Sequence, residues 1–438
     1  MKNTKITSFV LIISLSIFSC QKKGCTDPIA INYNSEATKD NGNCEYLKED
    51  FLLKGTLSGD TSLDPSVIWT MEGRVIVPNG VTLTIPEGTI IKSKAGTGAN
   101  ATSLIIARGA KLMAEGTESS PIIMTSESDD IQVGSSSGSS LSENIRGLWG
   151  GLIILGYAPG SFFGDVTEYQ IEGIPASETN GLYGGSYPTD NSGVIQYVSI
   201  RHGGAEIGEG NEINGLTLGC VGTGTTIDHI EVVGNVDDGI EFFGGTVNAS
   251  ELLVWGQGDD GLDIDQAYAG TISNSMVILN SASDHALEID GPEGSYNGSF
   301  TLNNLTIIGA SEECSPTGVD GEIADYRKGA TGTNSNIYFK NFSSGKDIEL
   351  DADADAASYN AGTLIFSDFE FTPAINDGID CFTPNLTDGT IFNDKSSLGS
   401  TFELDGATNC TIVTDAANSV GANILDFSWT YASEKGAL

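Results

Sequence analysis

Short apolar runs, separated by turns rich in Gly, Asn and Asp, dominate the chain from residue 72 onward. Four of these runs begin at Ile230, Leu252, Met276 and Leu305, so successive starts are 22, 24 and 29 residues apart. Helical periodicity is almost absent, and short runs bounded by turn residues are typical of β-strands. A near-regular repeat of this size predicts an all-β solenoid in which each coil buries its inner face on its neighbours, because a propeller blade needs about 40 residues or more.

A second run in each repeat alternates apolar residues with acids or Phe. These runs begin at Ile240, Leu262, Leu287 and Ile348. Successive side chains of a strand face opposite ways, so we predict that these four residues point inward and that the acids between them point outward. In a parallel β-helix equivalent positions of successive coils stack about 4.8 Å apart.

Stacking of the coils therefore predicts two outward columns. The first contains Glu241, Asp263 and Glu288, and the second contains Phe243, Asp265 and Asp290. Like charges in such a column destabilise one another, so either solvent and salt screen them or cations bridge them. Because calcium takes about six to eight oxygen ligands, we predict calcium ligands among nine acids of this region: Asp237, Asp238, Glu241, Asp259, Asp260, Asp263, Asp265, Glu288 and Asp290. No EF-hand loop or calcium β-roll repeat occurs here, so a solvated acidic face is the alternative.

The net charge limits the possible partners. The 438 residues carry a formal charge of −39 at pH 7, although 39% of them are hydrophobic. Such a field repels a phosphate backbone, which argues against nucleic acid as a partner. Cations, neutral glycans or a basic patch on an envelope protein remain compatible with the charge.

The N-terminus has the pattern of a secretory signal: Lys2 and Lys5, an apolar run over residues 9–18, and Ser19 directly before Cys20. The apolar run is too short to be a good membrane span. Residues 17–20 resemble a bacterial lipobox, which implies that Cys20 carries a lipid and anchors the chain to the membrane. We expect an outer-membrane protein, with the cell surface and the periplasmic leaflet both open.

Residues 24–46 resemble a short module of exported bacterial proteins in which two cysteines close a loop rich in Asn and Asp. The resemblance implies a disulfide between Cys25 and Cys44, which an oxidising compartment would allow. The sequence does not determine the pairing of the other four cysteines, which are Cys220, Cys314, Cys381 and Cys410.

Six segments together resemble a family of β-helical lipoproteins and surface proteins from diderm bacteria: residues 80–93, 103–126, 148–156, 199–225, 237–265 and 427–438. The resemblance implies a right-handed, single-stranded parallel β-helix of about a dozen coils over residues 48–438. A signal peptide (residues 1–19) and a lipidated, disulfide-closed module (residues 20–47) would precede it. The family has no settled activity, so the resemblance implies a fold and a surface setting only.

Three functions remain open at this stage. The first is a non-catalytic binding or adhesion protein, glycan-directed and calcium-stabilised; the second is an accessory subunit of an outer-membrane complex. The third is a glycoside hydrolase, because the acid runs faintly resemble polygalacturonases, and the resemblance assigns the catalytic residues to Asp238, Asp259, Asp260 and His285. Such enzymes need two carboxyls roughly 5 to 9.5 Å apart. The match is incomplete, since glycines do not flank His285 and Arg327 stands too far along the chain for the next coil.

A long segment, residues 157–193, interrupts the coils. Five of its aromatic residues are candidates for ligand contact: Phe162, Phe163, Tyr169, Tyr183 and Tyr187. Long loops in compact folds are often functional. The segment is therefore expected either to pack over the side of the β-helix or to stack its rings on a sugar.

Overall fold

The computed structural model describes residues 22–27, 30, 32–44, 51–207, 212–310, 322–342, 346–376, 379–382, 386 and 391–438. Its contacts divide the chain into two units, Met1–Phe51 and Leu52–Leu438. The predicted signal peptide, Cys20 and Cys314 lie outside the described residues. Within the described ranges, no helix is long and apolar enough to cross a membrane.

The first unit contains the predicted disulfide. Cys25 and Cys44 are bonded, with their Cα atoms 4.9 Å apart. Strand Lys23–Gly24, directly before Cys25, pairs in parallel with Lys39–Asp40, which lies inside the loop that this bond closes. In the second unit, Cys220 and Cys410 are buried free thiols. The side chain of Cys381 is outside the description.

The second unit is a parallel β-helix, as predicted. Twenty-five strands form one continuous set of pairings, and all of these pairings are parallel. The strands stack on three sides, which we name face A, face B and face C. Eleven strands of the described chain contribute to face C, close to the dozen coils expected.

The strands are distributed over the faces as follows. Face A contains Thr61–Ser62, Thr82–Pro86, Lys111–Glu115 and Leu364–Ser367. Face B contains Ile90–Ser93, Ile122–Ser126, Phe369–Thr372 and Cys410–Ile412. Six longer strands cover faces A and B: Gly193–Arg201, Thr226–Val233, Ala249–Trp255, Thr271–Ile278, Phe300–Ile308 and Gly332–Lys340. Leu52–Thr56 and Ile68–Val77 cover faces B and C. The other strands of face C are Ser103–Ile106, Leu152–Leu155, Leu216–Gly219, Ile240–Phe243, Leu262–Asp265, His285–Asp290, Glu322–Arg327, Ile348–Leu350 and Phe392–Asp394.

A few elements lie outside this stack. Tyr169–Gln170 pairs antiparallel with Leu182–Tyr183, and Ala374–Asn376 pairs antiparallel with Ile379–Phe382. The α-helices are Asp353–Asn360, Phe402–Asn409 and Tyr431–Lys435. Short 3-10 helices span Gly98–Asn100, Phe163–Asp165, Thr179–Gly181, Asp415–Ala417 and Ile424–Phe427.

A stacked column of left-handed residues bends the six long strands between face A and face B. The residues at the bend, with φ between 48° and 58°, are Tyr197, His229, Glu251, Asn274, Asn304 and Asn336. Asn tolerates this backbone conformation better than most residues. The residues predicted to point inward do so on face C, because Ile240, Leu262, Leu287 and Ile348 are at most 1% exposed.

Residues 157–193 pack against the outer side of face C. Phe162, Ile171 and Tyr183 from this segment form one apolar cluster with the outward residues Ile105 and Ile153. Burial of outward apolar side chains releases water from both surfaces, which holds the segment on the sheet. The first of the two interpretations of this segment, packing over the side of the β-helix, is therefore confirmed.

The C-terminal segment, residues 419–438, covers the outer side of face B. Phe427 and Ala432 pack on Leu253 and Met276. The backbone N–H of Ala432 donates to Oε1 of the buried Glu231 at 2.9 Å.

Candidate functional site

The register of face C aligns acids from successive coils. Glu241 pairs with Asp263, Asp263 with Glu288, Glu288 with Asp325, and Asp325 with Glu349. The second column contains Phe243, Asp265, Asp290 and Arg327. Both predicted columns are confirmed, and the first is longer than expected because Asp325 comes between Glu288 and Glu349. We call the two columns, together with the acids of the corner before them (residues 237–238, 259–260 and 284), the acidic surface.

The corner acids Asp238 and Asp260 hold successive coils together. The backbone N–H of Asp260 donates to Oδ1 of Asp238 at 2.9 Å. The backbone N–H of His285 donates to Oδ1 of Asp260 at 2.8 Å, and Nδ1 of His285 lies 2.9 Å from the same oxygen. Each carboxylate thus accepts a hydrogen bond from a backbone N–H of the next coil. In each case that N–H lies at or just before the first residue of a face C strand, and it would otherwise lack a partner. Both side chains are consequently buried, at 6% and 4% exposure.

Three acids point away from the coil interior but are covered. Asp238, Glu241 and Asp263 are 6%, 5% and 9% exposed. Burial raises the pKa of each carboxyl well above its usual range, and neighbouring acids raise it further. A solvated acidic face, the alternative left open by the sequence, does not describe these three residues, because water is excluded from them.

Asp237 and Asp259 are more accessible than the neighbouring corner acids Asp238 and Asp260. Burial and then Glu172 and Asp259 raise the pKa of Asp237 to about 7. Burial and then Asp260 and Asp284 raise the pKa of Asp259 to about 6. Carboxylate oxygens of Asp237, Asp238 and Asp259 lie within 4.8 Å of one another. Oxygens this close can share a proton or hold a cation.

Arg327 and Lys328 add positive charge at one side of this surface. Arg327 Nε lies 2.7 Å from Asp290 Oδ1, and Lys328 Nζ lies 2.5 Å from Asp290 Oδ2. The expectation that Arg327 stands too far along the chain for the next coil is wrong, because Arg327 pairs directly with Asp290. The intervening residues include the strand Phe300–Ile308, which continues the same coil over faces A and B.

His285 is enclosed by carboxylates. Its Nδ1 lies 3.8 Å from Glu288 Oε2 and 3.9 Å from Asp284 Oδ2, besides its contact with Asp260. Burial disfavours the charged imidazole, but the hydrogen bond with Asp260 and the surrounding acids outweigh it and raise the pKa of His285 to about 9. At neutral pH the ring is therefore a cation that neutralises part of the acidic surface.

The five candidate aromatic residues fall into two groups. Phe162 and Tyr183 are 2% and 1% exposed and belong to the apolar cluster under residues 157–193. Both rings are almost fully buried within this cluster. Phe163, Tyr169 and Tyr187 are 80%, 45% and 66% exposed. Only these three of the five are accessible to a partner.

A cavity of about 490 Å³ lies beside the same segment. Its apolar wall includes Phe162, Val166 and Tyr296, and polar groups come from Asp165 and Ser295. Tyr296 is 37% exposed. The residue follows the strand His285–Asp290, so sequence reasoning centred on residues 157–193 had no signal that would bring it here.

Comparison with protein-family models gives one match, which spans residues 55–423 and is described as a pectate-lyase-like β-helix domain. The chain belongs to the pectate-lyase-like β-helix family. The match covers the coils of all three faces and the inserted segment 157–193. Neither the curated proteins nor the solved structures contain a significant match to the chain.

Membership in the pectate-lyase-like β-helix family accounts for the fold but assigns no chemistry to individual residues, because function resides in sites and one fold supports many of them. Sequence reasoning missed Asn214 and Glu172, which lie next to the acidic surface. A further group, Asp228, His229 and Glu251, also has ligand atoms within 4.8 Å of one another. The 22-residue repeat, which places Glu251 one coil after His229, was the signal that could have found this group.

Proposed function

We propose that this chain is an envelope-anchored, non-catalytic binding protein of the pectate-lyase-like β-helix family, directed at neutral glycans. The observation that carries the proposal is the engagement of Asp238 and Asp260. Both residues match the hydrolase pattern, yet both are buried and accept hydrogen bonds from the backbone of the next coil. A general acid or base must reach the substrate within hydrogen-bond distance. Carboxylates used as structural supports are poorly placed for that role.

The cavity next to residues 157–193 supports a glycan as the ligand. Sugars are bound by an aromatic or apolar wall combined with a few polar groups, and cavities for small ligands have volumes of about 300 to 1,000 Å³. The 490 Å³ cavity offers Tyr296 and Val166 on one side and Asp165, Thr167 and Ser295 as polar partners. The strongly negative chain disfavours anionic polymers, so neutral glycans are the chemistry that fits.

A glycan array probed with the mature protein tests the proposal. We expect binding to one class of neutral glycan, with at least a tenfold loss of affinity in Tyr296→Ala. Tyr33→Ala is the matched control, because Tyr33 is 45% exposed but belongs to the first unit. Absence of neutral-glycan binding, or equal losses in both variants, would contradict the proposal. Anchoring is tested by Cys20→Ser, which should move the protein out of the membrane fraction.

One observation favours the glycoside hydrolase as a second candidate. Asp237 and Asp259 are more accessible than Asp238 and Asp260, and both have a raised pKa, about 7 and about 6. A raised pKa is what a catalytic acid requires. If the chain hydrolyses a glycan, Asp259→Asn should abolish turnover without lowering the melting temperature. The proposed binding role predicts no turnover in wild-type protein on the glycans that the array identifies.

A further inference from the structure

Three buried carboxylates from two adjacent coils converge near the centre of face C. Asp238 and Glu241 belong to one coil and Asp263 to the next. One carboxylate oxygen from each lies within 4.8 Å of the others. All three side chains are more than nine-tenths buried. Unneutralised like charges this close repel strongly where water is excluded.

Two oxygen atoms in this cluster have no protein partner. Oδ1 of Asp263 and Oδ1 of Asn214 are buried and accept no hydrogen bond within the described chain. Asn214 is 1% exposed, and its Nδ2 donates to Oε2 of Glu241, so its amide lies at the cluster. A buried acceptor without a partner costs about 1–3 kcal/mol, and more when it is charged. Such atoms in a native fold need another ligand.

No basic side chain of the described residues forms an ion pair with these three acids. Arg327 and Lys328 of face C are paired with Glu288 and Asp290 instead. The protein therefore brings together three acids and leaves the neutralising charge to be supplied from outside.

We propose that Asp238, Glu241 and Asp263 bind one divalent cation, with Asn214 Oδ1 as a fourth oxygen donor, and that this cation is calcium. The donor set consists only of carboxylate and amide oxygens, which suit calcium, and calcium tolerates irregular geometry better than magnesium does. Asn214 precedes the strand Leu216–Gly219, so the cation ties three successive coils of face C together. This structural role goes beyond the proposed glycan binding and does not depend on it.

The test is calcium binding by full-length mature protein after treatment with chelator. Isothermal titration should give one tight calcium ion per chain, with weaker binding of magnesium. The ligand stabilises only the folded state, so at 100-fold excess over Kd the melting temperature should rise by about 3 °C for a unit of this size. Sodium chloride at equal ionic strength should not reproduce the rise.

Two variants locate the ion. Asp263→Asn should lose the calcium-dependent rise and bind calcium at least tenfold more weakly. Asp284→Asn is the control, because Asp284 is 58% exposed and belongs to a different group of acids, with Asp259 and Asp260. Circular dichroism of metal-free Asp263→Asn should match that of wild-type protein, since the change removes a buried charge.

Three results would overturn the proposal: no calcium-dependent rise in wild-type protein, an undiminished rise in Asp263→Asn, or a loss of the rise in Asp284→Asn. The last result would place the ion on the exposed corner acids. Glycan binding is measured on the same proteins through the cavity at Tyr296. A failure of the calcium site is therefore distinguishable from a failure of the glycan proposal.

Discussion

Replacement of Asp237 by Asn tests whether the acidic surface destabilises the metal-free fold. Asp237 lies at the corner before the strand Ile240–Phe243, and its side chain is partly buried. Burial, Glu172 and Asp259 raise its pKa from 3.8 to about 7. Asn has nearly the same shape but carries no charge, so the substitution removes the repulsion and keeps the packing.

The pKa shift sets the magnitude. One pKa unit corresponds to about 1.4 kcal/mol, so a shift of roughly three units corresponds to at most about 4 kcal/mol. Solvent reaches part of the Asp237 side chain and screens its charge, and we therefore expect about 2 kcal/mol. The folded-state pKa lies above the unfolded one. Protonated Asp237 therefore makes its full stabilising contribution to the fold below the unfolded pKa of 3.8. This contribution is lost as the carboxyl ionises and the pH rises through about 7.

Urea unfolding in chelator at pH 5, 6.5 and 8, at fixed ionic strength, measures this effect. The free energy of unfolding of Asp237→Asn should exceed that of wild-type protein by less than about 1 kcal/mol at pH 5 and by about 2 kcal/mol at pH 8. Asp284→Asn is the control, because water screens its 58% exposed carboxylate. An equal gain at all three pH values, or a loss of stability at pH 8, would refute the electrostatic reasoning.

Two further predictions concern stability outside the acidic surface. Glu231 accepts hydrogen bonds from Ser199 and from the C-terminal Ala432 and lies beside the buried Arg201. Glu231→Gln should lower the free energy of unfolding by about 3–5 kcal/mol, because it leaves the buried guanidinium without its countercharge. An unchanged urea midpoint would show that Arg201 finds another partner. The double substitution Cys25→Ser with Cys44→Ser should lower the free energy of unfolding of the first unit by about 3 kcal/mol, since the bond closes a loop with a sequence separation of 19. Limited proteolysis should then cut residues 25–44 faster than in wild-type protein. An unaltered cleavage rate would contradict this prediction.

The coils of face C were predictable from the sequence because their signal is periodic. The spacing from Ile240 to Leu262 to Leu287 places equivalent residues in register, and alternation within each run separates inward from outward side chains. Both features follow from backbone geometry alone. They gave the columns that contain Glu241, Asp263 and Glu288 correctly.

The position of Arg327 was not predictable in the same way. Spacing along the chain measures a coil only if its turns have constant length, and the coil after His285 is longer than the three coils directly before it. Like the coils directly before it, this coil contains one strand over faces A and B, Phe300–Ile308, and its added length lies in the connections before and after that strand. Loops tolerate insertions at little cost, since closure entropy grows slowly with length. The insertion therefore disguised a residue that the sheet places directly beside Asp290.

Burial of the acids is the property that sequence periodicity could least reveal. A column of outward carboxylates is stable when water solvates it. The alternation of residues along the strands is the same whether the column faces water or is buried under another segment of the chain. Near Glu241 and Asp237 the neighbouring acids include Glu172, which belongs to the irregular segment 157–193. That segment is held by apolar contacts of Phe162 and Tyr183 with several coils of face C, including Phe243 on the same strand as Glu241. Hydrophobic packing of segment 157–193 therefore brings Glu172 close to these acids, and this tertiary contact, which the alternation of residues does not reveal, helps to make the covered acids the strongest candidates for a cation site.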